Sequence, residues 1–352
     1  MTIDLTMIGD VNLMGVTDAD IPFRCVQSRM READLVFANL ECLLTMRKGG
    51  TAVEVEGFFA DPEVALDCLK RGGIEAVGLA NNVNYGADAI AVSIERLEGA
   101  GIAHTGAGSN IAHARAPAIV ERKGVRIGLL QRSSVYWATN HEAGKNSGGI
   151  AVVRGHTAYQ VPMYKMKREI PPMNRPGIPP YIVTWTDPAY LAMLREDVAA
   201  LRNRCDVLVL ACHWGLHKDI LQYMTEIAHT AIDTGADIVV GHGPHYSLAV
   251  ESYKGRPIYY GLGSFSFHTG HGGHQHGDWL GMMAEVRAGR GGVERAAFRF
   301  VRHNDVNETY FCKPAAEADE FADLAARSEK LGARLRIDGD TVVVEPIGAG
   351  KG

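Results

Sequence analysis

The sequence predicts a layered α/β domain, and two observations carry that expectation. Short apolar runs alternate with stretches of helical periodicity along the chain, the pattern of strands covered by helices. Several of the runs also stop at histidine, aspartate, glutamate or asparagine, at the strand ends where open α/β sheets carry their chemistry. The clearest case is Asp237 to Tyr246, in which Ile238, Val239 and Val240 read as a buried strand and His242 and His245 follow on the loop beyond it. Upstream, the apolar run from Val207 repeats the layout and ends in His213. Two neighbouring strands would aim all three imidazoles at one place, although any one of them alone reads as an ordinary hydrogen-bonded loop residue.

A chain of 352 residues allows one large or two ordinary domains. Hydrophobic content of 46% and charged content of 22% describe a globular protein with ample material for a core. A net charge of −5 without a clustered basic run gives no electrostatic case for nucleic acid or an anionic membrane. The amino terminus is already a strand without the features of a signal peptide, and no window reaches the roughly 18 apolar residues of a spanning helix. The expectation is a soluble, cytoplasmic protein. The six cysteines form no C-x-x-C pair, and Cys212 reads as a buried structural thiol rather than a nucleophile.

The elements follow in order. The first strand runs into Gly9-Asp10-Val11-Asn12, where Asp10 and Asn12 would share one face of an extended chain and could chelate a metal, or else form a turn. Residues 20 to 33 fit a helix. Asp34 to Glu41 reads as a second buried strand carrying Asn39 and Glu41 at its end, and a buried glutamate there requires a cation or a donor. Asp61-Pro62 caps a helix closed by Gly72-Gly73. The strand from Glu75 to Ala80 delivers Asn81-Asn82. A helix from about Ala87 to Leu97 and a hairpin around Lys123-Gly124 follow. From Ser133 to Asp187 prolines and glycines break the pattern, so this stretch is expected to be an insertion walling the site, or an interaction arm. Helices over Pro188 to Asn203 and Leu221 to Thr234 flank the His213 strand, and Arg256 to Phe267 reads as one further strand. His268, His271, His274 and His276 lie on a glycine-rich loop, read as solvated rather than as an accessory metal site. The tail from Gly291 reads as strand, helix (Pro314 to Lys330) and a hairpin around Asp338-Gly339.

Taken together, Gly9-Asp10, Asn39-Leu-Glu41, Ala80-Asn81-Asn82, His213-Trp-Gly215, Gly235-Ala-Asp237, Gly241-His-Gly-Pro-His245 and Tyr260-Gly-Leu-Gly-Ser-Phe265 resemble the CapA-like (PGA_cap) proteins of capsule synthesis, a branch of the calcineurin-like metallophosphoesterase superfamily. The resemblance covers roughly residues 3 to 268. It implies a two-sheet β-sandwich flanked by helices in a domain over residues 1–290, with the 133–187 insertion as lid or substrate wall and residues 291–352 packing on the same domain. It further implies one or two divalent transition metal ions (Mn, Fe or Zn), held by Asp10, Glu41, Asn82, His213, His242 and His245. Val83 stands where the superfamily's Asn-Asn-His motif has histidine, so phosphomonoester cleavage is not expected.

The expected function is metal-assisted hydrolysis or transfer on an amide, peptide or poly-glutamate-like substrate. Asp10, His242 and His245 are the candidate catalytic groups, and Asn12, Asn39, Asn81, Trp214 and His217 the candidate substrate contacts. One alternative dispenses with metal and sets Asp10 and His242 or His245 on opposite sides of a substrate as acid and base, as in peptide epimerisation. Another is a non-catalytic subunit of polymer synthesis or export. A small-molecule or peptide substrate is the expected partner, and homo-oligomerisation is left open.

Overall fold

The computed structural model describes residues 1–46, 57–160, 180–215, 217–270, 273–275, 277 and 279–347. It is a four-layer arrangement in which two sheets face one another and each is covered by helices, the calcineurin-like sandwich. The first sheet runs parallel through Thr2–Asn12, Leu35–Leu40, Ala76–Gly78 and Ala103–Thr105. On its other side Gly281–Gly289, Gly292–His303, Thr341–Pro346 and Ala333–Asp338 continue it antiparallel. The second sheet holds Val125–Ser133, Val207–His213, Ile238–His242 and Arg256–Tyr259 in parallel. Residues after Gly291 are therefore woven into the same sheet as the amino-terminal strand.

Alternation along the strands builds the layers. Ile3, Leu5 and Met7 face across to Ile127, Leu129, Val207, Val209, Ile238 and Val240, all buried between the sheets. Each such aliphatic side chain contributes about 1.5–3 kcal/mol relative to exposure. Behind the first sheet pack the helices Pro62–Gly72, through Ala65, Cys68 and Leu69, and Ala87–Gly99, through Ile90 and Leu97. Behind the second pack Pro188–Arg202 and Gln222–Thr234, through Leu194, Val198, Met224 and Ile227. Asp61 caps its helix as expected, accepting from the backbone N–H groups of Glu63 and Val64 at 3.0 and 3.1 Å.

Three elements depart from the sequence reading. The helix expected over residues 20 to 33 shrinks to Gln27–Met30, because the preceding chain turns in single i to i−3 steps such as Arg24 N–H to Ile21 C=O. Pro22 has no N–H to contribute there. The strand expected over Arg256 to Phe267 breaks at Tyr260–Gly263. Its first part stays in the second sheet, while Ser264–Phe267 crosses over to pair with the strand carrying Asp10. Within the 133–187 stretch, Gly155–Gln160 and Tyr181–Thr186 form a two-stranded ribbon docked on the Gln222–Thr234 helix, where Thr186 N–H donates to Glu226 at 2.7 Å. That part of the stretch lies against a helix; residues 161–179, which belong to the expected lid or wall, fall outside the described residues.

Two glycines permit close approach of the strands that carry the site. A Cβ on Gly9 would lie 1.9 Å from the Gly263 carbonyl oxygen, and one on Gly241 would lie 2.0 Å from that of Tyr260. Gly99, at the end of a helix, has nothing within 4 Å of its would-be Cβ. Opposite outcomes are expected from one substitution: in urea denaturation Gly241→Ala lowers stability by about 3 kcal/mol or more through overpacking. Gly99→Ala raises it by about 0.5–1 kcal/mol through helix propensity and a less flexible unfolded chain.

Candidate metal centre

The carboxyl ends of the parallel strands of both sheets meet at one place. Asp10 comes from Thr2–Asn12, Asn39 and Glu41 from the end of Leu35–Leu40, Asn82 from beyond Ala76–Gly78, His213 from Val207–His213 and His242 from Ile238–His242. Register aligns them, since Asp10 is paired with Asn39 and His213 with His242. The strand of Asp10 shifts register between Ile8 and Asp10, a bulge that changes which side chains point toward the second sheet.

Asp10 is wholly buried. Its Oδ1 accepts from Asn39 Nδ2 at 2.9 Å and lies 3.3 Å from His242 Nδ1. Its Oδ2 lies 3.1 Å from His245 Nδ1 and accepts from the Gly243 N–H at 3.3 Å. Burial alone would push this carboxyl up, but the two imidazoles outweigh it and hold it well below the usual range. Glu41, equally buried, goes the other way, raised by burial and by the charge of Asp10. Burial lowers His213 to about 3 and leaves it neutral. Burial would also lower His245, yet its hydrogen bond to Asp10 and the nearby charges of Glu41 and Asp10 raise it to about 9.

Asp10, Glu41 and His213 each offer one ligand atom within 4.8 Å of the others. Glu41 Oε1 stands 3.1 Å from His213 Nδ1. His213 Nε2 lies 2.8 Å from Asn82 Oδ1, an acceptor, which assigns the ring proton to Nε2 and leaves Nδ1 as a lone pair facing the carboxylate. With the Asn39 amide no closer than 3.5 Å to Nδ1, two buried acceptors facing each other call for a cation or a proton between them. Glu41 Oε1 and both ring nitrogens of His242 are buried without a hydrogen-bond partner among the described residues, so they meet the same test. The donor set of carboxylates and imidazoles suits a divalent transition metal.

Other expected site residues separate into scaffold and rim. Asn39 is held by a buried amide network: Gln131 Nε2 and Asn81 Nδ2 donate to its Oδ1 at 2.9 and 3.3 Å. Asn81 is buried and bound to backbone, donating to the Leu40 carbonyl and accepting from the Asn84 N–H. Asn12 does not join Asp10. Its amide donates to the Thr269 carbonyl and its Oδ1 accepts from the Met14 N–H, because the bulge ends the shared face. Trp214 is fully buried, stacked on Tyr260 with its Nε1 donating to that residue's carbonyl, and touches no open space. His242 ends its strand rather than standing on the loop. Cys212 is buried with its thiol pushed up by burial, as a core residue should be.

A cavity of about 470 Å³ opens beside this cluster, walled by Asn82, His213, His245, Tyr246 and His217, which stands at its exposed rim. His245 is 29% exposed where Asp10 is 0%, so of the imidazoles in contact with Asp10 it is the one open to the cavity. Of the described residues of the 133–187 stretch, only Val135 lines this cavity. Trp137 nevertheless donates through Nε1 to the Asn82 carbonyl at 2.9 Å, bracing that loop. The sequence reading passed over Gln131 and Trp137; Ser264, quoted there only as part of the Tyr260 to Phe265 motif, has its Oγ 3.2 Å from His245 Nδ1. Gln131 had a signal, a glutamine directly after the apolar run Ile127 to Leu130; Trp137 had none. Val83 packs in the apolar cluster behind the first sheet. His271 and His276 fall outside the described residues, and among those described no second cluster of metal-binding groups appears.

A family profile described as bacterial capsule synthesis protein PGA_cap matches residues 4–269. The chain is 24% identical over 279 residues to capsule biosynthesis protein CapA of Bacillus anthracis, covering 76% of this chain and 60% of that protein. To PGA biosynthesis protein CapA of Bacillus subtilis (strain 168) it is 26% identical over 279 residues, covering 75% and 63%. To a probable polyglutamine synthesis accessory protein of Mycobacterium tuberculosis it is 27% identical over 251 residues, covering 66% and 57%. The chain thus spans about three fifths of the length of these curated relatives. No helix among the described residues is long and apolar enough to cross a membrane. With the profile spanning most of its length and its strand ends converging on one buried carboxylate–imidazole centre, the chain belongs to the PGA_cap family of bacterial capsule synthesis proteins, within the metallophosphoesterase-like superfamily.

Proposed function

We propose that this chain is a metal-dependent hydrolase or transferase acting on the amide links of a poly-glutamate-like or peptide substrate. The observation that carries the reading is the buried Asp10–Glu41–His213 triad, with its facing acceptors, set beside an open cavity. The names of its relatives supply the substrate class. Asp10, Glu41 and His213 would hold the ion, with His242 and Asn82 adjoining. A bound divalent metal polarises a carbonyl and lowers the pKa of water. Around it the chain's own groups divide the work. Asn82 fixes the ring of His213 through Nε2. Asn39, braced by Gln131, orients Asp10. His245, anchored through Nδ1 to Asp10 and close to Ser264, is the group at the cavity wall placed to exchange a proton with the substrate through Nε2. Phosphomonoesters are poor candidates, since Val83 is buried among apolar side chains and has no proton to transfer.

The geometry favours the metal-dependent reading over the metal-free acid–base one. The latter needs Asp10 and an imidazole on opposite sides of a substrate, whereas Asp10 is wholly buried and in contact with both His242 and His245.

Elemental mass spectrometry on tag-free protein should find about one or two equivalents of a transition metal, the stoichiometry that one- and two-metal hydrolases require. Asp10→Ala and His213→Ala should lose it and lose amide cleavage while keeping the native circular dichroism spectrum. A wild type that stays empty in metal-replete buffer overturns the reading. Asn82→Ala should weaken metal affinity about 10–100-fold, as removal of a partner that orients a ligating histidine does; a competition titration with a chelating dye reads it. Because an ion that binds the native state alone stabilises it by mass action, chelation should lower the melting temperature of the wild type and leave Asp10→Ala unmoved.

A further inference from the structure

A second, smaller cavity of about 150 Å³ adjoins the first. Tyr246 and Trp279 line both, so the two share a wall. Its lining is cationic: Lys218, Arg302 and Arg327, against Glu320, which is exposed. The charges are not equally available. Arg302 is neutralised by Glu317 through two hydrogen bonds of 2.8 Å. Arg327 gives Nε and Nη2 to Asp323, while its Nη1 is buried with no acceptor. Trp279 Nε1 is likewise a buried donor without an acceptor among the described residues. Lys218 has no carboxylate partner among the described residues, and its ammonium stands over the Tyr246 ring at 5.4 Å, on one of the two residues that the cavities share. Among the described residues, then, the pocket's one carboxylate is the exposed Glu320, the Lys218 ammonium has no carboxylate partner, and an anion would supply one.

We infer that the pocket lined by Lys218, Tyr246, Trp279 and Arg327 is a second subsite, which holds a carboxylate of the same substrate chain whose amide lies at the Asp10–His213–His245 centre. The inference rests on the reading proposed above and deepens it. A chain carrying one carboxylate per amide-linked unit would place one amide in the larger cavity and a neighbouring unit's carboxylate past Tyr246. Charge-assisted hydrogen bonds there would set the register of the polymer and discriminate against an uncharged chain.

The test is calorimetric binding to the full chain of γ-linked triglutamate and of the same oligomer with its α-carboxylates converted to amides. Wild type should prefer the carboxylate form by roughly tenfold or more, the scale of a charge-assisted contact retained against a neutral one. Lys218→Gln combined with Arg327→Gln should abolish the preference, and Arg290→Gln, at the far end of the sandwich, should retain it. A double variant that keeps the preference, a wild type that shows none, or a wild type that binds neither oligomer overturns the subsite. Binding is read without turnover, so the two readings fail separately. A wild type that binds triglutamate through these residues but cleaves no amide leaves the subsite standing and removes the hydrolase. Cleavage with unaltered binding in the double variant does the reverse.

Discussion

A carboxylate with no exposure to water, Asp10, is the constraint around which the rest of the structure is arranged. An isolated buried carboxylate would be protonated or would unfold its surroundings. Here the first sheet supplies an amide donor, Asn39, and the second supplies two imidazoles and a backbone N–H from the turn beyond His242. Both sheets must therefore converge to satisfy one side chain. That convergence needs Gly9 and Gly241, where any side chain would collide with the backbone of the segment that crosses between the sheets. The fold and the site are in this sense one problem, solved by the crossover at Tyr260–Gly263.

The environments of the two carboxylates differ because their partners differ. Asp10 has cationic or donating neighbours on both oxygens, whereas at Glu41 burial and the charge of Asp10 outweigh the help of Asn39 and His245. Two carboxyl groups a few ångströms apart, one held ionised and one pushed toward its protonated form, describe a centre short of positive charge. A cation removes the conflict at once, since it makes both ionised forms favourable and gives the unmatched atoms of His242 a use.

Most of this was legible in the sequence because strand ends announce themselves. Apolar runs such as Ile238 to Val240 must be buried, and the polar residue that terminates each run falls at the edge of the core, so Asp10, Glu41, His213 and His242 could be placed without knowing how the sheets pack. What the sequence could not show is which face a side chain takes once the strand is irregular. The bulge next to Asp10 removed Asn12 from the cluster, and the break after Tyr259 hid the crossover inside what reads as one continuous run. Trp214 misled for a related reason: an aromatic beside a site histidine points the opposite way on an extended chain, and its indole is consumed by Tyr260. Asn81 and Asn82, adjacent and chemically identical, part company because the first caps its own turn while the second reaches His213.

The replacement of the motif histidine by Val83 then has a structural consequence beyond the loss of an acid. Val83 is drawn into the apolar cluster behind the first sheet, which secures the Asn81–Asn84 turn from below while Asn84 and Trp137 secure it by hydrogen bonds to Leu40, Leu79 and Asn82. The turn is thus a rigid mount for Asn82. In the proposed reading proton handling would fall to the other side of the cavity, where His245, alone among His213, His242 and His245, both touches Asp10 and is more than slightly exposed. An amide needs its departing nitrogen protonated, so a single anchored imidazole on that wall fixes the direction from which the leaving group must be served. Under that reading the substrate chain would lie with its departing side toward His245 and Tyr246, the side on which the second cavity opens.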